Sequence, residues 1–508
     1  MSKGKLTYLT KTRYVTGLSC KKALWLMFNK PERLPEVNEA TQHRFDEGHK
    51  VGELAKSLFP NGIDIKEVIP EENDKVSRTL LKKRKPLFEA GFVHKNRRCY
   101  ARADILFPVS GNQWDIIEVK SATGVKEEYL HDVSFQKYCY ESAGLRIRKC
   151  FVLHVNNQYV RNGKINLKEF FGKTEITEHV ESLMPEVPSY VKDLFGIIAL
   201  KKCPEFKNGE EYHDDLSGIH DDDKIWRDNP ESDIFDLYRG GKKALELFNI
   251  GVFQIKNITM HHELNDKQMI QKKTHSNGRP HIENKELRSF IENLKYPLYF
   301  IDFETYNTAI PLYDGLKPYQ QIPFQFSVHL VSKKSKKPTH YSFIAEGSAD
   351  PRPQFTKELK RAIGTTGSIV VYNQSFEQTV IKNLGVLLPE YGDWAESTVK
   401  RMVDLLVPFR NFAYYHPKQK GSASLKRVLP ALTGTTYDDF EIANGAQASS
   451  SYLYITHGAY DGTKATASEI REIRAHLEKY CGQDTEGLIK VLEKLGKVVK
   501  HYEPVVPY

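Results

Sequence analysis

The sequence contains no apolar run near the ~20 residues that a membrane-spanning helix requires, and its mean hydropathy is −0.52. No membrane partner is therefore expected. The opening, MSKGKLTYLTKTRY, has no apolar core behind its basic residues and does not read as a secretory signal. Cysteine is scarce: six residues without regular spacing exclude a disulfide framework and fit a reducing, cytoplasmic compartment. Solenoid-length repeats and long low-complexity tracts are absent as well. Nor is there a strong excess of one charge. Lys and Arg number 74 against 65 Asp and Glu, and the surplus of +9 permits a polyanionic partner without demanding one.

What remains is an ordinary globular balance, 40 % hydrophobic and 27 % charged, which excludes disorder throughout. At 508 residues the chain exceeds one hydrophobic core, so two or three domains are expected. The first ~200 residues open with helical patterns. ARADILFPVSGNQWDIIEVKSATG then reads as two strands around a turn at Pro108, Ser110, Gly111 and Asn112. A helical pattern from about Glu127 to Gly144 and an apolar strand, CFVLHV, complete a mixed α/β unit. KNGEEYHDDLSGIHDDDKIWRDN is polar and acidic, as an exposed connection should be, and helical patterns follow it to about Leu294. From KYPLYFIDFET the pattern is strand-like again, and a long amphipathic helix, EIREIRAHLEKYCGQDTEGLIKVLEKL, lies near the end. We divide the chain into a first domain at 1–202, a connector at 203–290 and a last domain at 291–508.

Two sets of residues carry chemistry. In WDIIEVK, Glu118 and Lys120 are two apart, so on a strand they project from one face. A hairpin brings Asp104 beside Glu118. Two carboxylates and a lysine suit metal-dependent phosphodiester cleavage: the acids hold Mg²⁺, and the lysine orients the attacking water or steadies the transition state. The plainer alternative is a hairpin salt bridge. His49 on a helix, and Gln136 and Tyr140 at i and i+4 on another, accompany this set.

In YPLYFIDFETY, Asp302 and Glu304 interrupt an apolar strand on one face. Burying unpaired carboxylates there is unfavourable unless a partner such as a metal ion compensates; acids at a strand end reaching solvent are the simpler reading. VVYNQSFEQ places Asn373, Phe376 and Glu377 at a strand-to-helix transition, and KYCGQD puts Tyr480 and Asp484 on one helix face. Asp404, in RMVDLLVPFR, is a further acid in an apolar run, with a supporting role. YYHPKQKGSASLKR offers His416, Lys420, Ser422 and Lys426 as phosphate contacts beside stacking aromatic rings; Ser422 as a helix cap is the alternative. The runs KKRK at 82–85, KNRR at 95–98 and KKSKK at 333–337 read as solubilising surface.

The order of His49, Asp104, Glu118-x-Lys120 and Gln136-xxx-Tyr140 resembles the RecB-like branch of the PD-(D/E)XK nucleases over residues 1–200. That resemblance implies a restriction-endonuclease-like fold, with His49, Asp104 and Glu118 as metal ligands, Lys120 as catalytic lysine, and Gln136 and Tyr140 as substrate contacts. Many relatives carry an iron–sulfur cluster on one early and three late cysteines. Here Cys20 lies in a suitable early context, GLSCKKALWL, but only Cys203 lies late, and the acidic segment at His220, Asp221, Asp222 and Asp223 takes the place of the others. No iron–sulfur cluster is expected.

The order DxE, NxxF followed by an acid, then YxxxD resembles the DEDDy exonucleases of the RNase H-like superfamily over residues 295–497. It implies a mixed five-stranded sheet, Asp302, Glu304, Glu377 and Asp484 holding two Mg²⁺ or Mn²⁺ ions, Asn373 near the substrate, and Tyr480 orienting the nucleophile. Glu377 departs from the usual Asp by one methylene. Nearly end to end, the chain is similar to a prokaryotic family that fuses these two nuclease domains. The implied function is a divalent-metal-dependent nuclease acting on DNA single strands or ends, in repair or in defence against foreign DNA. An RNA exonuclease, or a nucleic-acid-binding protein with one or both centres inactive, are the alternatives.

Overall fold

In the computed structural model, residues 8–34, 37, 39–204, 233–333, 337–436 and 440–499 are described. The acidic segment with His220, Asp221, Asp222 and Asp223, and residues 334–336 of the KKSKK run, lie outside them. The chain forms two compact units, Met1–Trp226 with Thr308–Gln320, and Arg227–Asn307 with Gln321–Tyr508. Both are α/β with mixed sheets.

Among the described residues, the first unit holds a seven-stranded sheet in the order β2-β3-β4-β5-β6-β7, with β1 paired to β4. The strands are β1 Leu9–Thr10, β2 Ile63–Asp64, β3 Leu87–Val93, β4 Cys99–Pro108, β5 Gln113–Lys120, β6 Arg146–Val155 and β7 Phe171–Glu175. β4 and β5 form the antiparallel hairpin that the turn residues announce, and β6 lies parallel to β5 after the helix Glu127–Ser142. One apolar cluster joins that helix, through Val133, Phe135 and Tyr140, to Ala103, Leu106 and Ile116 of the hairpin. A second joins Val51 and Ala55 of the helix Glu39–Lys56 to Ile105 and Ile117. The segment Thr308–Gln320 belongs to this second cluster: Ala309 is buried in it, and the Ala309 N–H donates to Glu47 Oε2 at 2.8 Å. Lys82, Lys83 and Lys85 of the KKRK run are exposed, while Arg84 is half-buried. Its guanidinium lies over the Trp114 ring at 4.4 Å and donates to the Val109 and Gln113 carbonyls, clamping the β4–β5 turn.

Among its described residues, the second unit holds a five-stranded sheet in the order β11-β10-β9-β12-β13, and a small pair of β14 with β8. These strands are β8 His281–Ile282, β9 Leu298–Tyr306, β10 Ile322–Val331, β11 Thr339–Ile344, β12 Ser368–Val371, β13 Met402–Asp404 and β14 Tyr414–Tyr415. β9–β10–β11 are antiparallel, while β12 and β13 run parallel to β9. The central strand β9 is covered on both faces, which explains its nearly continuous apolar run. Tyr299, Ile301 and Phe303 pack with Phe355 and Leu359 of the helix Arg352–Ala362. The alternate residues, including Asp302 and Glu304, project to the other side. The helix Ala467–Val498 contacts β9 and β10 and starts at Thr466 with a capping box closed by Glu469.

Residues 235–241, FDLYRGG, lie in the connector and pack within the second unit. Ile234 and Leu237 share a buried cluster with Leu247 and Ile255, and Arg239 lies over the Tyr238 ring at 5.5 Å. Gln271 receives the Tyr238 N–H at 2.7 Å and donates to the Asp236 carbonyl at 2.7 Å. Gly421 of the HPKQKGS turn rests on this same carbonyl. Its φ is +72°, and a Cβ there would stand 1.9 Å from the Asp236 oxygen. Gly421→Ala is therefore expected to destabilise the chain by about 3 kcal/mol through strain and overlap, read as a lower urea midpoint.

Candidate metal and phosphodiester sites

In the first unit, Asp104, Glu118, Lys120 and His49 line one cavity of about 550 Å³. Asp104 is fixed by its own hairpin: its Oδ2 accepts the Val119 N–H at 2.7 Å. Glu118 is 1 % exposed, and its carboxylate receives three side-chain donors. Lys120 Nζ reaches Oε1 at 2.8 Å, Lys11 Nζ reaches the same oxygen at 2.7 Å, and Gln136 Nε2 donates to Oε2 at 2.8 Å. Lys11 also stands 3.6 Å from Asp104, and Lys120 bonds Asp132 at 2.8 Å. Burial depresses both ammonium groups, but the surrounding carboxylates outweigh it and hold their pKa values well up, so both stay charged. A divalent cation bridging Asp104 and Glu118 would have to displace Lys11. The fit to a metal at this centre is conditional on that movement.

Gln136 and Tyr140 do not face the cavity as substrate contacts; this is a correction. Both are fully buried. Gln136 spans Glu118 and Asp132 and so positions the carboxylate. The Tyr140 hydroxyl accepts the Ala103 N–H at 2.7 Å and donates to the Ala90 carbonyl, tying β4 to β3. Tyr140→Phe strands both buried backbone groups and is expected to lower stability by about 1–3 kcal/mol with an unchanged denaturant slope, measured by urea unfolding.

Among the lining residues missed in the sequence, two act directly on Asp104. One is Lys11. The other is Glu89, which lines the cavity at φ +59° within β3, with the pairing to β4 unshifted on either side, and pairs with Arg102 at 2.8 Å. Burial first, then the Asp104 charge, raise its pKa. A positive φ on a non-glycine residue beside a polar cavity is a mark of strain held at a site, and sequence patterning carries no signal for it.

The second unit is electrostatically different. Asp302 and Glu304 on β9 and Cys481 on the helix Ala467–Val498 present ligand atoms all within 4.8 Å of one another. Burial raises the pKa values of Asp302 and Glu304, and mutual repulsion with Asp484 raises them further. Glu377, in the first turn of the helix Gln374–Leu387, is 2 % exposed and is likewise raised by burial and then by the Asp302 charge. Its Oε2 has no hydrogen-bond partner. Among the described residues, no lysine or arginine forms an ion pair with Asp302, Glu304 or Glu377. The Lys426 charge reaches Glu304 only as a weaker opposing influence. Buried like charges without a counter-ion are unfavourable, and a divalent cation is the group this donor set fits. Asp302, Glu304, Glu377 and Asp484 would hold it.

Tyr480 and Asp484 lie on the buried face of their helix at 4 % and 8 % exposure. Lys426 stands over the Tyr480 ring at 5.6 Å. Asp404 serves the backbone: its Oδ1 accepts the Asn373 and Leu406 N–H groups at 3.0 Å each. This holds Asn373 at φ +77° in the turn that launches the helix carrying Glu377. His416 Nδ1 accepts the Lys418 N–H at 3.1 Å, and Ser422 Oγ accepts the Ser424 N–H at 3.1 Å, so both build the turn that carries the exposed Lys420. Cys481 and Gly445 were missed in the sequence. A Cβ at Gly445 would lie 3.4 Å from Glu304 Oε2. Cys481 was legible in principle, since it shares a helix face with Asp484 three residues on.

No curated protein matches the chain. A family model described as a domain of unknown function (DUF2779) matches residues 299–424, a stretch that takes in Asp302, Glu304, Glu377, Asp404 and the basic turn through Ser424.

Proposed function

We propose that the chain is a divalent-metal-dependent nuclease that hydrolyses phosphodiester bonds of DNA single strands or ends, with an RNase H-like DEDDy exonuclease centre in the second unit and a PD-(D/E)XK centre in the first. The observation that carries the reading is the buried, uncompensated cluster of Asp302, Glu304 and Glu377 beside Asp484. The strand order β11-β10-β9-β12-β13, with β9 central and bearing the first two acids, supports it. When bound, divalent cations supply polarisation of the phosphate and a more acidic water. The four acids hold them, the Tyr480 hydroxyl orients the nucleophile, and Lys426 and Lys420 attract the phosphate backbone.

A specific observation favours a second reading in which only this centre is active. Lys11 sits between Asp104 and Glu118, at 3.6 and 2.7 Å, where a cation would otherwise bridge them. The test is release of nucleotides from end-labelled single-stranded DNA, with matched RNA alongside, in Mn²⁺ or Mg²⁺. Loss of release in Asp302→Ala alone fits the single-centre form, and loss of a remaining cleavage in Glu118→Ala fits two centres. Activity that survives both substitutions contradicts the proposal.

A further inference from the structure

Backbone strain in the second unit gathers in one region. Eight non-glycine residues among those described have a positive φ, and four of them belong to the connector and the basic turn or adjoin them: Arg239 at +48°, Asn373 at +77°, Phe412 at +64° and Lys420 at +52°. Such a backbone is unfavourable and persists where packing or function holds it. Packing accounts for two of the four. Phe412 is 3 % exposed, stacked on Tyr415 at 4.7 Å and edge-on to Tyr238 at 5.0 Å, and Asn373 is held by Asp404. Arg239 and Lys420 are exposed cations.

One framework carries them both. Gly421, next to Lys420, rests on the Asp236 carbonyl, and Gln271 fixes that carbonyl together with the Tyr238 N–H, beside Arg239. Lys267 Nζ stands over the Tyr238 and Phe412 rings at 5.2 and 5.6 Å and donates to the Arg410 carbonyl at 2.7 Å. Arg410, half exposed, leans on Asp404 at 3.9 Å. Among the described residues, Arg239, Lys267 and Lys420 pair with no carboxylate. The framework adjoins the acidic centre: the Tyr372 hydroxyl donates to the Ala423 carbonyl, and Asn373 opens the helix that carries Glu377. Tyr415 is 1 % exposed, so the Phe412–Tyr415 pair is committed to the core and does not stack on bases. What this surface offers outward is positive charge, which reads phosphates and carries no base information.

We infer that Arg239, Lys267, Arg410 and Lys420 form a track for the phosphates of a single-stranded nucleic acid, leading the strand to the acidic centre irrespective of its base sequence. The inference rests on the nuclease reading of that centre and adds the path and the mode of substrate binding.

The experiment follows anisotropy of a labelled oligothymidylate with the full chain in chelator, where cleavage cannot shorten the probe. A probe of about 20 residues exceeds the ~4–16 nucleotides that single-strand sites span. Wild type is expected to bind with an affinity that falls steeply with salt. Arg239→Gln combined with Lys420→Gln is expected to bind on the order of tenfold more weakly, with a log–log salt slope shallower by about 1.4, two contacts at ~0.7 each. Arg239→Lys with Lys420→Arg keeps both charges and is expected to match wild type. Lys82→Gln with Lys83→Gln, an equal loss of charge in the first unit, is expected to match it as well. Arg410→Gln alone is expected to make the slope shallower by about 0.7, so the result does not hang on how the double variant folds. Oligodeoxycytidylate is expected to bind as tightly as oligothymidylate.

Wild-type affinity and slope in both Arg410→Gln and the Arg239→Gln, Lys420→Gln pair overturn the inference while leaving the metal-dependent nuclease reading standing. Equal weakening in Lys82→Gln with Lys83→Gln overturns it too, because net charge alone then explains the binding. A marked preference between the two oligomers contradicts a track that reads phosphates. Absence of binding by wild type also overturns it, and joined to an absence of nucleotide release it removes the nuclease reading as well.

Discussion

Asp302→Asn is expected to lower metal-dependent nucleotide release by about 10³-fold, because one lost metal ligand removes roughly 4 kcal/mol of transition-state stabilisation. The same substitution is expected to raise the melting temperature of the metal-free chain. Asp302 sits among acids that repel it, and its neutral form is the one the fold prefers. A carboxyl whose folded-state pKa lies above its unfolded value takes up protons on folding. Stability of the second unit therefore falls as pH rises through the interval between those two values, and it is regained on acidification. Asp302, Glu304 and Glu377 are all raised, so their contributions share this sign. Thermal melts of chelator-treated wild type between acidic and neutral pH should show that decline, and Asp302→Asn should flatten it. A loss of activity accompanied by a loss of metal-free stability would point instead to ordinary misfolding.

The second large effect belongs to the first unit and has the opposite character. Glu118 neutralises two ammonium groups and receives Gln136 while almost fully buried. Removing one partner from a buried charge network is more damaging than never having built it, because the remaining charges stay desolvated. Glu118→Ala is expected to lower stability by about 3–5 kcal/mol, read from the denaturant midpoint. Lys11→Met tests the metal question at the same place. With the ammonium gone, Asp104 and Glu118 regain an unbalanced negative charge, and calorimetry should show tighter Mn²⁺ binding than in wild type. Unchanged affinity would mean that Lys11 does not compete with a cation.

Much of the architecture was readable because its signals are local. The turn chemistry between Pro108 and Asn112 and the apolar alternation around it announced the β4–β5 hairpin, and two-residue spacing placed Asp302 with Glu304 and Glu118 with Lys120 on common faces. The helix carrying Tyr480 and Asp484 was equally plain from its period. Contacts formed by distant segments left no such trace. Lys11 meets Glu118 across 107 positions of sequence, and nothing near KLTYLTKTRY distinguishes that lysine from its neighbours. Thr308–Gln320 follows β9 and precedes β10 in the chain, yet it is packed with the first unit, where the Ala309 N–H meets Glu47, 262 positions away in sequence. Gln136 and Tyr140 failed as substrate contacts for a related reason: periodicity locates a face of a helix but not what covers it. Their helix turns that face into the core. Cys481 went unremarked since a lone cysteine in a helix is more often a small apolar filler.

The central claim is that the acids of the second unit form a binding site for a divalent cation. Isothermal titration of the chelator-treated full chain with Mn²⁺ examines it most directly, in wild type beside Glu304→Gln and Glu377→Gln. The account predicts saturable binding in wild type, with protons released to the buffer, and a marked weakening in each variant. Binding of equal strength in all three proteins, or none in wild type, would contradict it.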